Sequence, residues 1–258
     1  MIMINKLSRN LFYEVIGVPT KRRALSFAIM MKNLKPTSVV KDWSYRLLAR
    51  ESGLAPGTCK KYIGLLQEME LVSIRSYHGH KYLTFKKLKE AKKKNKRNRR
   101  YHTARRRDIS LGKYDTTSIK IIEKHLAALY IWEIQSHKDY CRQSISTKQN
   151  PKNPHEYKRA LKICRTRGWD NIDRFDDNGI SFKYLCKSLH ASPNTVSAII
   201  SYGESINLFT VKRSSRMPAF YGPGNARQAA KYMDEPHSWS TDDTVFYQQP
   251  NRFVINPR

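Results

Sequence analysis

The chain has 258 residues, of which 49 are Lys or Arg and 21 are Asp or Glu, so its formal net charge is +28. Such an excess repels itself in a compact fold unless a polyanion neutralises it, and a nucleic acid is therefore the expected partner. Because we find no apolar run of 18 residues and no signal peptide, we predict no membrane contact and a cytoplasmic, nucleoid-associated location inside the cell.

The first predicted element is a helix from Arg22 to Leu34, whose apolar face would contain Ala24, Phe27, Ala28, Met31 and Leu34. A second helical segment begins at Tyr45 and breaks at Ser52-Gly53-Leu54, where Gly can take a positive φ. The third helix begins at Pro56, because a first helical turn does not need the missing N–H. These three segments predict a small helical core.

The spacing of apolar residues predicts which side of the Pro56 helix is buried. Its stripe at i, i+3, i+4 and i+7 is Cys59, Tyr62, Ile63 and Leu66. The outward positions are then Gly57, Thr58, Lys60, Lys61 and Gly64. Leu71–Arg75 and Lys81–Phe85 are predicted as two strands of a hairpin joined by residues 76–80.

A dense basic segment follows the hairpin. Without apolar spacing it cannot pack a face, so we predict a flexible or DNA-ordered arm that neutralises phosphates. A solvated linker and a nuclear-localisation signal are the alternatives. The cations expected to touch DNA are Lys93, Lys94, Lys96, Arg97, Arg99, Arg100, Arg105, Arg106 and Arg107.

A long helix is predicted from Asp115 to His137, with Ile119, Ile122, Leu126, Leu129 and Ile134 on one side. It would either bridge two modules or pair with a second subunit, so a homodimer is one expectation. A further helix is predicted from Glu156 to Arg167, between Asn153-Pro154 and Gly168.

An internal repeat appears when the sequence is shifted by 137 positions. Ser44, Leu48, Pro56, Thr58, Ile63 and Leu71 fall on Ser181, Leu185, Pro193, Thr195, Ile200 and Leu208. The second copy has Ser192 as a helix N-cap and Val196, Ile199, Ile200 and Gly203 facing inward. Its outward residues are Asn194, Thr195, Ser197, Ala198 and Ser201, and its predicted hairpin pairs Leu208–Arg213 with Arg216–Tyr221.

These two copies resemble the winged helix-turn-helix family, in tandem, over 42–85 and 180–221. The resemblance implies a mainly α fold with small β-hairpin wings, an α+β class. We accordingly divide the chain into a first winged-helix domain at 1–88, a basic linker at 89–112, a second winged-helix domain at 113–234 and a tail at 235–258 packed on a domain.

In that family the second helix of each unit enters the major groove of double-stranded DNA and the wing touches the backbone. The predicted DNA-binding residues outside the linker are Thr58, Lys60, Lys61, Arg75, Tyr77, His78, His80, Lys81, Asn194, Thr195, Ser197, Ser201, Lys212, Arg213 and Arg216. Asn194 can bond adenine, and Lys60 and Lys61 can bond guanine or phosphate. A helix-turn-helix can also serve as a protein-docking module, which is the alternative for either face.

Enzyme classes find little support. The adjacent acids lie among turn residues, as expected of solvated loops: Asp176-Asp177, Asp234-Glu235 and Asp242-Asp243. A metal site formed by His78 and His80 requires more assumptions than a phosphate contact made by the same hairpin. The four cysteines form no CxxC pair. We predict no enzymatic activity, no metal, no cofactor and no small-molecule ligand.

The resemblance covers replication initiators of plasmids and phages and transcription regulators with duplicated modules. We expect a sequence-specific DNA-binding protein of a mobile element or phage in one of these two roles. The alternative is an architectural or packaging protein that coats DNA without reading its bases.

Overall fold

The protein is seen in a computed structural model, which describes residues 6–35, 37–86, 88, 109–110, 118–146, 158, 160, 162–164, 179–212, 216–220, 239–240, 244–248 and 251–256. The described chain is mainly helical with small antiparallel sheets, an α+β fold. It divides into two compact units, residues 1–129 with 188–190, and residues 130–187 with 191–258.

The first unit is a helical layer on a three-stranded sheet. Its elements are β1 (Lys6–Leu7), α1 (Arg9–Ile16), α2 (Pro19–Leu34), β2 (Val39–Lys41), α3 (Tyr45–Ser52), α4 (Pro56–Glu68), β3 (Val72–Tyr77), β4 (His80–Phe85) and β5 (Ile109–Ser110). The sheet has the antiparallel order β2-β4-β3, and β1 pairs with β5.

Helix α2 is the centre of this core. We predicted one apolar face, but every residue from Ala24 to Met31 is buried, because α1, α3 and α4 all pack on the helix. Leu34, which we placed on the buried face, is exposed. Pro19 begins the helix, three residues before the predicted start.

The β3–β4 hairpin is longer than predicted. The predicted five-residue loop is a two-residue turn, His78-Gly79, whose φ angles are +46° and +75°. Positive φ at both positions characterises the type I′ turn, whose twist matches that of paired strands. Tyr77 and His80 therefore lie opposite each other in the ladder instead of in a loop.

Helix α5 (Ile119–Ser146) extends beyond the predicted end at His137. Four of its predicted apolar positions are buried, namely Ile122, Leu126, Leu129 and Ile134. The predicted helix at 156–167 is described in part, since positions 158, 160 and 162–164 are helical.

The sequence repeat is also a structural repeat. α6 (Phe182–Leu189) and α7 (Pro193–Ser205) have the bounds of α3 and α4 shifted by 137 positions. Ser44 Oγ accepts a hydrogen bond from the Leu47 amide at 3.1 Å, and Ser181 Oγ accepts one from the Tyr184 amide at 3.1 Å. The Leu71 amide donates a hydrogen bond to Leu66 O, and the Leu208 amide, 137 positions later, donates the equivalent bond to Gly203 O.

The second unit contains β6 (Phe209–Lys212), β7 (Arg216–Phe220), β8 (Trp239–Ser240), β9 (Thr244–Gln248) and β10 (Arg252–Ile255). The prediction that β6 pairs with the strand beginning at Arg216 is wrong. β6 pairs with β10, while β7 pairs with β9 in a separate sheet of order β7-β9-β8. β10 thus takes the place that β4 has in the first unit, and residues 213–251 are inserted between the two strands.

A size exchange accompanies the repeat. Leu66 and Val72 of the first unit correspond to Gly203 and Phe209 of the second. The Phe209 ring fills the space beside Gly203 and lies 5.1 Å from the Phe253 ring, centre to centre. The larger side chain of the pair therefore lies on the helix in the first unit and on the strand in the second.

None of the helices in the described part of the chain is long and apolar enough to cross a lipid bilayer.

Candidate nucleic-acid interface

Helix α4 has one buried face and one exposed face. Cys59, Ile63 and Leu66 are fully buried, as predicted, and Tyr62 is half-buried with its ring 5.8 Å from that of Phe27. On the other side Lys60 and Lys61 are exposed, and Thr58 is half-buried. The exposed face of α4 therefore presents two adjacent ammonium groups suited to phosphate or guanine.

Helix α7 has the same division with different chemistry. Val196, Ile199, Ile200 and Gly203 are buried, and the five predicted outward residues are exposed, namely Asn194, Thr195, Ser197, Ala198 and Ser201. This exposed face carries amide and hydroxyl groups and no ionised side chain at these positions, so it is suited to reading base edges by neutral hydrogen bonds.

The N-terminus of α7 is capped more fully than that of α4. Ser192 Oγ accepts a hydrogen bond from the Thr195 amide at 3.3 Å and lies 2.9 Å from Thr195 Oγ1. α4 begins after Ala55, which has no side-chain cap. The Thr195 hydroxyl, predicted to bind phosphate, therefore already has a partner within the helix cap.

The register of the β3–β4 hairpin separates its predicted DNA-binding residues onto two faces. Arg75 and Tyr77 lie opposite Tyr82 and His80, and all four are on the outer sheet face, turned away from the buried Val72, Leu83 and Phe85. Lys81 lies on the other, inner face and is exposed. Arg75, Tyr77 and His80 thus form a surface distinct from the exposed face of α4.

Two cations on the outer sheet faces were missed by the sequence analysis. Lys41 of β2 is in register with Tyr82, in one row with Arg75. In the second unit Arg252 is directly opposite Lys212. Like charges in such a pair repel each other, and an anion bound between them would relieve that repulsion. Strand pairing creates both neighbourhoods, so sequence spacing gave no signal for them.

A polar contact fixes the edge of the first sheet. His80 Nδ1 lies 2.9 Å from Asp42 Oδ1 and 3.0 Å from Oδ2, and this hydrogen bond lowers the pKa of Asp42. His78 packs its ring edge-on to Tyr77, with centroids 4.0 Å apart. The two histidines therefore have separate neighbours, and within the described residues no three His, Cys, Asp or Glu side chains gather as a metal site requires.

Of the remaining predicted DNA-binding residues, two are described by the structure and ten are not. Arg216 lies in β7 with its backbone paired to Gln248, and Lys212 is exposed on β6. The following predicted DNA-binding residues lie outside the described residues: Lys93, Lys94, Lys96, Arg97, Arg99, Arg100, Arg105, Arg106, Arg107 and Arg213.

Comparison with known proteins adds no relative: no family model matches the chain, and neither a curated protein nor a solved structure matches it.

Proposed function

We propose that this chain is a double-stranded DNA-binding protein whose two repeats are winged helix-turn-helix units. The observation that carries the proposal is the pair α4 and α7. Both occur at the same place in the structural repeat, and each buries an apolar face while exposing a polar one. In a chain of net charge +28, two such exposed faces favour insertion of each helix into a major groove.

The two exposed faces support a division of labour. Lys60 and Lys61 on α4 are suited to phosphate contact, which supplies affinity independently of sequence. Asn194 near the start of α7 is suited to a bidentate contact with adenine N6 and N7. We therefore assign base recognition mainly to the second unit.

Selection from a randomised duplex pool tests base recognition. We expect a recovered motif that is bound about a thousandfold or more tightly than random duplex. Asn194→Ala is expected to relax one position of that motif at a cost of about 1 to 3 kcal/mol. Thr210 is an exposed residue on β6. Thr210→Ala is the matched control and is expected to leave the motif unchanged. An unaltered motif in the Asn194 variant would show that α7 does not read bases.

The second candidate is an architectural protein that coats DNA. Its support is the net charge of +28, since charge alone suffices for binding without base recognition. Tight binding to random duplex without recovery of any motif from the randomised pool selects this candidate.

If a motif is recovered, its biological role is either replication initiation or transcription regulation, in a plasmid, phage or other mobile element. Support of replication by a plasmid that lacks another initiator would indicate the first role. Direct repeats beside the gene favour initiation, whereas an inverted repeat in its promoter favours regulation.

A further inference from the structure

The outer face of the β2-β4-β3 sheet combines aromatic and cationic side chains in two adjacent rows. Lys41, Tyr82 and Arg75 form one row across the three strands, and His80 and Tyr77 form the next row of the hairpin. Side chains in directly opposed positions lie roughly 5 Å apart at Cβ, and diagonal neighbours roughly 7 to 8 Å. We call these five residues the outer-face cluster.

The outer-face cluster is accessible. Tyr77 is 66% exposed, Lys41 and Arg75 are exposed, and Tyr82 and His80 are half-buried. Tyr77 lies near the turn of the hairpin, where Ile74 and Ser76 on the other face of β3 are also exposed, so most of its apolar ring surface is in water. The ring contacts that of His78 edge-on, with centroids 4.0 Å apart, and the rest of its exposed surface can stack on a planar partner.

The charge of the cluster fits an anionic partner. Lys41 and Arg75 lie on either side of Tyr82. The Asp42 carboxylate at the same edge is engaged by His80 Nδ1 at 2.9 Å and by the Lys81 amide at 3.4 Å. Lys41 and Arg75 together still exceed the single negative charge of Asp42, so they can bind a phosphate backbone while the rings stack on its bases.

We infer that the outer-face cluster binds single-stranded DNA, with unpaired bases stacked on Tyr77 and Tyr82 and phosphates held by Lys41 and Arg75. A base can stack on a side chain only when its own face is free, and in a duplex the base faces are covered by neighbouring pairs. Rings interleaved with cations are the combination that binds single strands without sequence preference. This surface goes beyond the proposed duplex site, because α4 packs against the opposite face of the sheet.

The test uses the full-length protein and fluorescence anisotropy with oligo(dT) of about 12 nucleotides. Tyr77→Leu with Tyr82→Leu removes both rings but keeps apolar side chains. Oligo(dT) affinity is expected to fall at least about tenfold more than affinity for a duplex of equal length. Tyr77→Phe with Tyr82→Phe keeps the stacking surfaces and is expected to retain single-strand affinity within about threefold.

The matched control is Lys60→Ala with Lys61→Ala, which is expected to weaken duplex binding and to leave oligo(dT) affinity within about twofold. If the double Leu variant loses its fold by circular dichroism, Tyr77→Leu alone replaces it, since that side chain is largely exposed. Unchanged oligo(dT) affinity, an equal loss toward duplex, or tighter binding of oligo(U) than of oligo(dT) each overturns the inference. If the native chain binds no duplex but the Leu variants still lose oligo(dT), the proposed function fails and this inference stands.

Discussion

Arg22 shows how a single buried cation is satisfied in this fold. Its Nη1 donates to Ile16 O at 2.7 Å and its Nε donates to Glu123 Oε1 at 3.1 Å, while Arg23 Nε bonds the other oxygen of Glu123 at 3.2 Å. Burial lowers the pKa of Arg22, although Glu123 opposes that effect. The guanidinium is therefore stable in the core only with its partners in place.

Replacing Glu123 by Gln is expected to lower the free energy of unfolding by about 3 kcal/mol or more, because it leaves a buried charge without its counterion. Urea unfolding of the variant measures this. Glu14→Gln is the control, since Glu14 pairs with Lys21 at the surface and its loss is expected to change stability by less than about 1 kcal/mol. Equal effects from the two variants would contradict the assignment of a buried ion pair.

Lys138 makes stability depend on pH. Its Nζ lies 2.5 Å from Gly179 O, and burial lowers its pKa to about 8. Between that value and the ordinary Lys value of about 10.4, the unfolded chain holds a proton that the folded chain lacks, so the free energy of unfolding rises with pH. We expect Lys138→Met to remove this rise, measured as the difference in Tm between the two proteins from about pH 7.5 to 9.5. Parallel curves would show that the pKa of Lys138 is not lowered in the folded protein.

At the scale of elements, the glycines of α4 and α7 differ in how closely other residues pack against them. A Cβ added to Gly203 would lie 2.2 Å from Phe209 Cζ, whereas a Cβ added to Gly64 of α4 meets no atom within 4 Å. The glycine of α7 is required by the ring beside it, while that of α4 is not required by packing.

Gly203→Ala is therefore expected to lower the free energy of unfolding by about 1 to 3 kcal/mol through overpacking. Gly64→Ala, also in the middle of a helix, is expected to raise it by about 0.5 to 1 kcal/mol. Thermal unfolding compares the two variants directly. If Gly64→Ala is destabilising and Gly203→Ala has no effect, then packing requires the glycine of α4 and not that of α7.

The sequence predicted those elements whose signals are local. The starts of α4 and α7, their buried stripes and the first hairpin follow from Pro, apolar spacing and the turn residues around Gly79. The partner of β6 could not be predicted, because Phe253 lies beyond the insertion at 213–251 and no local pattern links the two strands. Lys41 and Arg252 were missed for the same reason, since pairing alone places them beside Tyr82 and Lys212.

For the whole molecule, the net charge predicts steep salt dependence of duplex binding. Each phosphate neutralised contributes a slope of about −0.9 to the logarithm of the binding constant against the logarithm of salt concentration. Lys60→Ala with Lys61→Ala is expected to reduce that slope by about two units if both ammonium groups contact phosphate. Asn194→Ala removes no charge and serves as the control. An unchanged slope in the double variant would place those lysines away from the backbone.

The insertion between β6 and β10 has a consequence for synthesis on the ribosome. The first hairpin closes across His78 and Gly79, so its sheet can assemble soon after Phe85 leaves the exit tunnel. The second copy must wait until Phe253 has emerged, and until then Phe209 and Val211 lack their partner strand. Nascent chains arrested before and after Phe253 has left the exit tunnel should consequently differ in protease resistance over 180–212. Residues 37–86 should be protected in both.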